Sequence, residues 1–282
     1  MIWHKGREEM TRKYSLAHLG FLNLTPPQML YLAKGAGYDY VGVRTILQGV
    51  KGEVDYDLYK NTRLFDLTKQ AMEDTGIGIH DIELAKIDTG TDVRKYEPAF
   101  EAAAKLGVHH VISSIWTEDE AFAFEQFDRL CAIAAQYDIN VAMEPVSFAP
   151  LHYLQSTLEL IKKVNRPNAK LLVDTLHFHM ARISLEELAE VPKELLDFAH
   201  ICDGPSQIPA DKAGLIHYAR DERFYAGEGA IDIASMVKCL RSDTVLSLEL
   251  PHTRRISDLG HFEHARRCLA TCKTYLGQHG VE

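Results

Sequence analysis

Among the 282 residues, no apolar run approaches the roughly 20 needed to cross a bilayer, and the first nine residues, Met1 to Glu9, contain no hydrophobic stretch of the kind that directs secretion. Membrane insertion and secretion are therefore not expected, and the reading is a cytoplasmic chain. The five cysteines (Cys131, Cys202, Cys239, Cys268 and Cys272) are odd in number and form no C-x-x-C pair. That excludes a disulfide framework and agrees with a reduced compartment. Positive charge is also short, with 31 Lys and Arg against 40 Asp and Glu, a formal net charge of −9. A surface built to neutralise a phosphate backbone is excluded, so neither nucleic acid nor a membrane is expected as a partner. The turn after the first strand-like run, Gly20-Phe21-Leu22-Asn23-Leu24-Thr25, lacks the G-x-G-x-x-G spacing of a dinucleotide-binding sheet. No Pro/Ser/Gly-rich linker or change of composition divides the chain. Residues 1–12 read as an N-terminal extension and residues 13–282 as one domain.

What is present is alternation. Eight short aliphatic or β-branched runs recur at Tyr14–Leu19, Tyr38–Val43, Ile77–Leu84, Val108–Ile115, Ile139–Met143, Lys170–Val173, Phe198–Cys202 and Val245–Leu250. Helical patterns separate them, at Pro26–Lys34, Leu58–Glu73, Val93–Lys105, Glu118–Gln136, Leu154–Val164, Leu185–Leu188, Ile233–Cys239 and Phe262–Leu276. Thr25 before Pro26-Pro27 reads as a helix cap followed by first-turn prolines, and Ala36-Gly37 and Leu106-Gly107 read as helix ends. Eight such units predict an α/β fold, a (β/α)8 TIM barrel in a single domain.

Function in such a barrel is carried at the C-terminal strand ends. Histidine is the compositional outlier, with 14 residues, and imidazole is both the commonest metal ligand and the side chain that titrates near neutrality. The strand ends carry His18, Arg44, His80 with Glu83, Ser113 with Trp116, Glu144, Asp174 with His177, His200 with Asp203, and Glu249. Taken singly, Glu144 reads as a cap or loop residue, Asp174 as a helix cap and His200 as a core histidine. Glu249, between two leucines late in a buried strand, is costly unless paired or bound to a cation. Four consecutive strands presenting an oxygen or nitrogen ligand at equivalent ends point instead to one metal site. Three carboxylates and one imidazole suit Mn, Mg or Co, with Zn also accommodated, and the lack of a thiolate argues against a closed structural zinc site.

The motifs Met143-Glu144-Pro145, Asp174-Thr175-Leu176-His177, His200-Ile201-Cys202-Asp203, Arg223 with Gly227-Glu228-Gly229, and Glu249 resemble those of the xylose isomerase-like TIM barrels. These include sugar epimerases similar to D-tagatose 3-epimerase, inosose and 3-dehydroshikimate dehydratases, and endonuclease IV. The resemblance implies one divalent ion held by Glu144, Asp174, His200 and Glu249, with His177 and an arginine contacting substrate. Arg223 and Arg220 compete for the arginine role, because the segment 204–226 is longer than in the epimerases and forms an insert that reads as an active-site lid.

The same resemblance implies a metal-dependent sugar isomerase or epimerase of carbohydrate metabolism. Glu144 and Glu249 would exchange a proton α to a carbonyl through an enediolate. His18, Arg44, His80, Glu83 and Trp116 are expected as pocket residues for a small sugar or polyol. A dehydratase of a cyclic keto-polyol or keto acid shares the first step and is the alternative. An endonuclease IV-like phosphodiesterase, drawing on His80 and His109/His110, is disfavoured by the charge. A barrel that binds sugar without turning it over is the reading of a different class. A homo-dimer or tetramer is expected by analogy. His179, His217, His252, His261, His264 and His279 are expected on solvated loops or helices, and Cys268 and Cys272 against the barrel wall.

Overall fold

The computed structural model describes residues 12–50 and 53–281. Among these, eight parallel strands close a barrel in sequence order. They are β1 (Tyr14–Leu16), β2 (Tyr40–Arg44), β3 (Gly78–Ile87), β4 (His110–Ile115), β5 (Asn140–Met143), β6 (Ala169–Asp174), β7 (Leu196–Ile201) and β8 (Leu246–Leu248). The helices are α1 (Pro26–Ala36), α2 (Thr62–Thr75), α3 (Glu97–Lys105), α4 (Glu120–Ala135), α5 (Leu154–Val164), α6 (Thr175–Met180), α7 (Leu185–Ala189), α8 (Lys212–Asp221), α9 (Ile233–Lys238) and α10 (Thr253–Gln278). The extension expected over residues 1–12 lies outside the described residues except for Arg12. None of the described helices is long and apolar enough to cross a membrane.

Local chemistry fixes the boundaries. The Thr25 hydroxyl accepts from Gln28 N while the Gln28 side chain takes the Thr25 N–H at 2.8 Å, a reciprocal cap that starts α1 with the two prolines behind it. Gly37 ends α1 at φ 92°, a left-handed position that glycine adopts without strain. Pro98 in the first turn starts α3 later than the sequence pattern suggests, and Val93–Tyr96 forms a 3-10 turn instead. Helix α6 follows β6 at once with Asp174 as its cap, as the reading of Asp174 anticipates, whereas α8, inside the expected insert, has no counterpart in the sequence reading. Helix α10 starts nine residues before its predicted position and bends at Gly260.

Inside the barrel, Ile112, Ala142, Leu172 and Phe198 form a small apolar plug, flanked by Leu84 and Val245. The larger core lies between strands and helices and includes Cys268 and Cys272, as expected. Strand β3 carries two register irregularities. Ile79 and Asp81 face Val41 and Gly42, and Ile82 and Ala85 face Val111 and Ser113, so β3 spends one extra residue at each place. Strand β7 has a similar shift against β6. Extra residues of this kind break the two-residue alternation and re-aim side chains.

Two histidines depart from expectation because their rings are built into the frame. His18 follows β1 in a 3-10 turn and is fully buried. Its Nε2–H donates to Leu24 O at 2.8 Å and its Nδ1 accepts from Arg44 N–H at 2.8 Å. It is therefore a brace between β1 and β2 rather than a pocket wall. His264, expected at the surface, is also fully buried, bonded to Leu250 O at 2.9 Å and to the Tyr225 hydroxyl at 2.9 Å. His252 is largely buried as well.

Burial lowers both His18 and His264 to about 4 from the ordinary 6.5. The His18 ring serves as donor on one nitrogen and acceptor on the other, an arrangement only the neutral form satisfies. Below pH 6.5 the unfolded chain takes up protons that the folded chain refuses. The stability contributed by these rings is thus complete above about 6.5 and is lost as pH falls through about 4. Urea unfolding across that window is expected to show the decline, and a His264→Gln chain should decline less steeply. Parallel curves would remove His264 from the explanation.

Candidate active site

The four residues predicted to converge do so. One ligand atom from each of Glu144, Asp174, His200 and Glu249 lies within 4.8 Å of the others, and all four residues are buried. Their positions follow from the strand period of two. Glu144 stands two residues beyond the plug residue Ala142, Asp174 two beyond Leu172, and His200 two beyond Phe198, so each points inward one layer above the plug. His200 Nδ1 lies 3.3 Å from Glu249 Oε2, 3.6 Å from Glu144 Oε1 and 3.9 Å from Asp174 Oδ2. Neither His200 ring nitrogen has a hydrogen-bond partner although both are buried.

Such orphaned nitrogens inside a cage of carboxylates are what a metal site presents when read from its protein side alone. The electrostatics agree. Burial alone would lower His200, but Glu249 and Glu144 reverse this and push it well above its ordinary value. The cluster thus demands positive charge, which a divalent cation supplies. The donor set fits Mn, Mg, Co or Zn.

Arg223 provides part of that charge. Its guanidinium is buried and gives Nη1 to Asp174 Oδ2 at 2.8 Å, Nη2 to Glu249 Oε2 at 2.6 Å and Nε to Ala219 O at 2.9 Å. Burial would raise Glu249, yet Arg223 and His200 together hold it well below the usual carboxylate range. The other Asp174 oxygen, Oδ1, caps α6 by accepting from Leu176 and His177 N–H, which fixes the carboxylate's orientation. Arg223, expected as a substrate contact, lines the cavity with Nη1 and Nη2 on the carboxylates and Nε on Ala219 O.

The segment bearing Arg223 is fastened by Asp203. Its Oδ1 accepts from Gly204 and Ile231 N–H, and its Oδ2 from Gly227 and Gly229 N–H, at 2.8–3.0 Å. A side chain on Gly229 would collide with Gly204 O at 2.1 Å, which explains the glycine. The Gly227-Glu228-Gly229 turn therefore wraps an internal carboxylate.

Above the cluster opens a cavity of about 480 Å³ at the C-terminal mouth of the barrel. Of the expected pocket residues, Arg44, Glu83, Trp116, His177 and Arg223 line it, and Arg220 lines it from the end of α8. Ser114 lines it in place of Ser113 and accepts from Trp116 Nε1 at 2.8 Å, while Ser113 turns outward to Ala85 O. His177 Nδ1 accepts from Ser147 N–H, so its proton belongs on Nε2. Phe148 packs against both Trp116 and His177, at 5.6 Å each. Phe148, Gln48 and Lys86 were not singled out from sequence. The first two sit in loops without periodicity, and Lys86 lies beyond the predicted end of β3.

His80 is the misplaced residue. It is the third residue of the ten-residue β3, beside the first residues of β2, and so lies at the opposite end of the barrel. There it stacks on His110 at 4.5 Å and bonds to Asp81, while His110 bonds to Asp197 at 2.6 Å. Among the described residues this group does not meet the geometry of a metal site, so the extra histidines invoked for a multi-zinc centre are elsewhere.

A family model described as xylose isomerase-like TIM barrel matches residues 30–272. The inosose isomerase of Bacillus velezensis is 24% identical over 240 residues, covering 79% of this chain and 82% of that enzyme. The inosose isomerase of Bacillus licheniformis is 28% identical over 172 residues, 56% of this chain, and the match spans 59% of that enzyme's length. The L-ribulose 3-epimerase of Methylomonas sp. is 28% identical over 127 residues, covering 44% of this chain and 38% of that protein. Among solved structures, the IolI protein with a bound zinc atom superposes with a TM-score of 0.79 at 20% identity, covering 94% of this chain and 98% of that one. A D-allulose 3-epimerase from Methylomonas sp. gives a TM-score of 0.68 at 19% identity, covering 94% of this chain and 97% of that one.

Proposed function

Because the chain belongs to the xylose isomerase-like TIM barrel family, we propose that it is a divalent-metal-dependent isomerase or epimerase of a small sugar or polyol. The observation that carries this is the buried Glu144, Asp174, His200 and Glu249 cluster at the floor of the cavity. The names of its relatives, inosose isomerase and L-ribulose 3-epimerase, support a ketose or keto-polyol substrate.

A cation held by these four residues supplies Lewis-acid stabilisation of the charge that develops when a carbon acid α to a carbonyl ionises. The protein supplies the rest. Glu144 follows β5 and Glu249 follows β8, so the two reach the cluster from strands separated by β6 and β7. One carboxylate removes the proton and the other returns it, which inverts or relocates the stereocentre. Arg223, with Nη2 at 2.6 Å from Glu249 Oε2, fixes the position of that carboxylate. His177, its proton on the nitrogen away from Ser147, donates to a substrate oxygen. The insert contributes Ile216 and Ala219 to the cavity wall and acts as the lid that limits water.

Elemental analysis of protein purified without chelator tests the metal, and turnover in D₂O tests the chemistry. About one Mn, Mg, Co or Zn per chain, reduced in Glu249→Ala, with deuterium appearing at the carbon α to the carbonyl of scyllo-inosose or D-allulose, is the expected result. Loss of water from a keto-polyol, with no isomer recovered, would reassign the protein as a dehydratase. Saturable binding without deuterium exchange would remove the enzymatic reading.

A further inference from the structure

One pair of cavity residues is not used by the chemistry above. Arg44 ends β2 and Glu83 is its register partner on β3. Both line the cavity and both are more than nine-tenths buried. Arg44 Nη2 donates to Glu83 Oε2 at 2.6 Å, yet Glu83 Oε1 has no donor and Arg44 Nε has no acceptor. An ion pair serving only the fold would be expected to satisfy such atoms, since each unsatisfied buried group costs free energy. The backbone is shaped to present this pair. The first irregularity of β3 places Asp81 and Glu83 in step with Gly42 and Arg44, and the second spans Glu83 and Leu84, between Ile82 and Ala85. Gly42 makes room, since a Cβ there would lie 2.7 Å from Asp81 Oδ2.

We propose that Arg44 and Glu83 are specificity-determining residues that read two adjacent uncharged hydroxyls of the substrate. The free Glu83 oxygen accepts from one hydroxyl and the free Arg44 nitrogen donates to its neighbour. The inference rests on the isomerase reading and deepens it, because it selects a neutral polyol over a sugar phosphate or keto acid.

Charge supports this choice. Glu53 lies behind Arg44, with Oε1 at 3.7 Å from Nη1, so one guanidinium stands between two carboxylates and the trio carries a net negative charge. Burial raises the Glu83 carboxyl and Arg44 opposes that rise, while the Glu249 carboxylate nearby adds to it. An anionic group brought here meets repulsion. Elsewhere in the cavity Lys86 is matched by Asp88 at 2.7 Å, which leaves Arg220 at the rim as the cation without an ion-pair partner among the described residues.

The test is calorimetric titration of the wild-type chain, as purified with its metal, with myo-inositol and with myo-inositol 1-phosphate. Wild type is expected to bind myo-inositol at least tenfold more tightly than the phosphate. Glu83→Gln keeps an acceptor for Arg44, loses the negative charge, and is expected to lose about tenfold in myo-inositol affinity while narrowing the preference against phosphate. In turnover, the same variant should raise KM with kcat nearly unchanged. Equal or tighter binding of the phosphate by wild type would overturn the proposal and point to Arg220 as an anion anchor. So would undetectable binding of myo-inositol, or a Glu83→Gln chain with unaltered affinity. Glu249→Gln separates the two readings. Assayed at saturating metal, it should lose turnover while its myo-inositol affinity changes less than that of Glu83→Gln, so failure of the Glu83 arm alone leaves the isomerase assignment standing.

Discussion

Replacing Glu249 by glutamine should reduce turnover by about 10³-fold or more, the usual worth of a positioned acid or base, while the chain still binds a divalent ion. Glutamine retains the carbonyl oxygen and the shape, so Glu144, Asp174 and His200 keep a weakened three-residue hold on the cation. What disappears is a group able to carry the substrate proton. The change also removes one of the two carboxylates paired with Arg223, at 2.6 Å, and the carboxylate nearest to His200, at 3.3 Å. A drop in metal affinity therefore accompanies the loss, and the assay is run at saturating metal. Deuterium exchange from D₂O into substrate is the decisive readout. Full exchange and turnover by Glu249→Gln would remove this residue from proton transfer and leave it a ligand only.

The second large effect is structural. Asp203→Ala is expected to destabilise the chain by about 3–5 kcal/mol, since four backbone donors lose a charged acceptor in a buried place. Asparagine should not rescue it. Each Asp203 oxygen accepts two N–H groups, so an amide in either orientation sets its NH₂ against two donors. Urea unfolding of Asp203→Ala and Asp203→Asn, together with hydrogen exchange across residues 204–231, measures this. An Asn variant as stable as wild type would show that the four bonds carry little. Because the same segment delivers Arg223 to Asp174 and Glu249, both variants should also lose activity out of proportion to the fraction unfolded.

The barrel was readable from sequence because its strands, buried on both faces, are short apolar runs, and each of the four ligands interrupts or ends such a run. Ala142-Met143-Glu144 and Leu172-Val173-Asp174 show the pattern directly. The reading was weakest on β3, where strict alternation fails. His80, expected at the C-terminal mouth, belongs to the other end, because it is only the third residue of a ten-residue strand that runs on to Ile87. His264 was expected in solvent because α10 is polar around most of its circumference, although it stands four residues before Cys268 on the buried face shared with Cys272 and Leu276. Phe148 and Gln48 lie in loops, where no period marks which side chains face a ligand.

The insert leaves the barrel at Gly204 and rejoins it at Gly227 to Ile231, and both ends are bound to the same carboxylate. Departure and return thus share one anchor, and the eight strands register nothing of how long the excursion between them is. Lengthening such a loop adds only a slowly growing closure cost. Segments of different length and sequence can be exchanged between Asp203 and its glycines without retuning the framework, so this part of the cavity wall can diverge while the Glu144, Asp174, His200 and Glu249 cluster stays fixed.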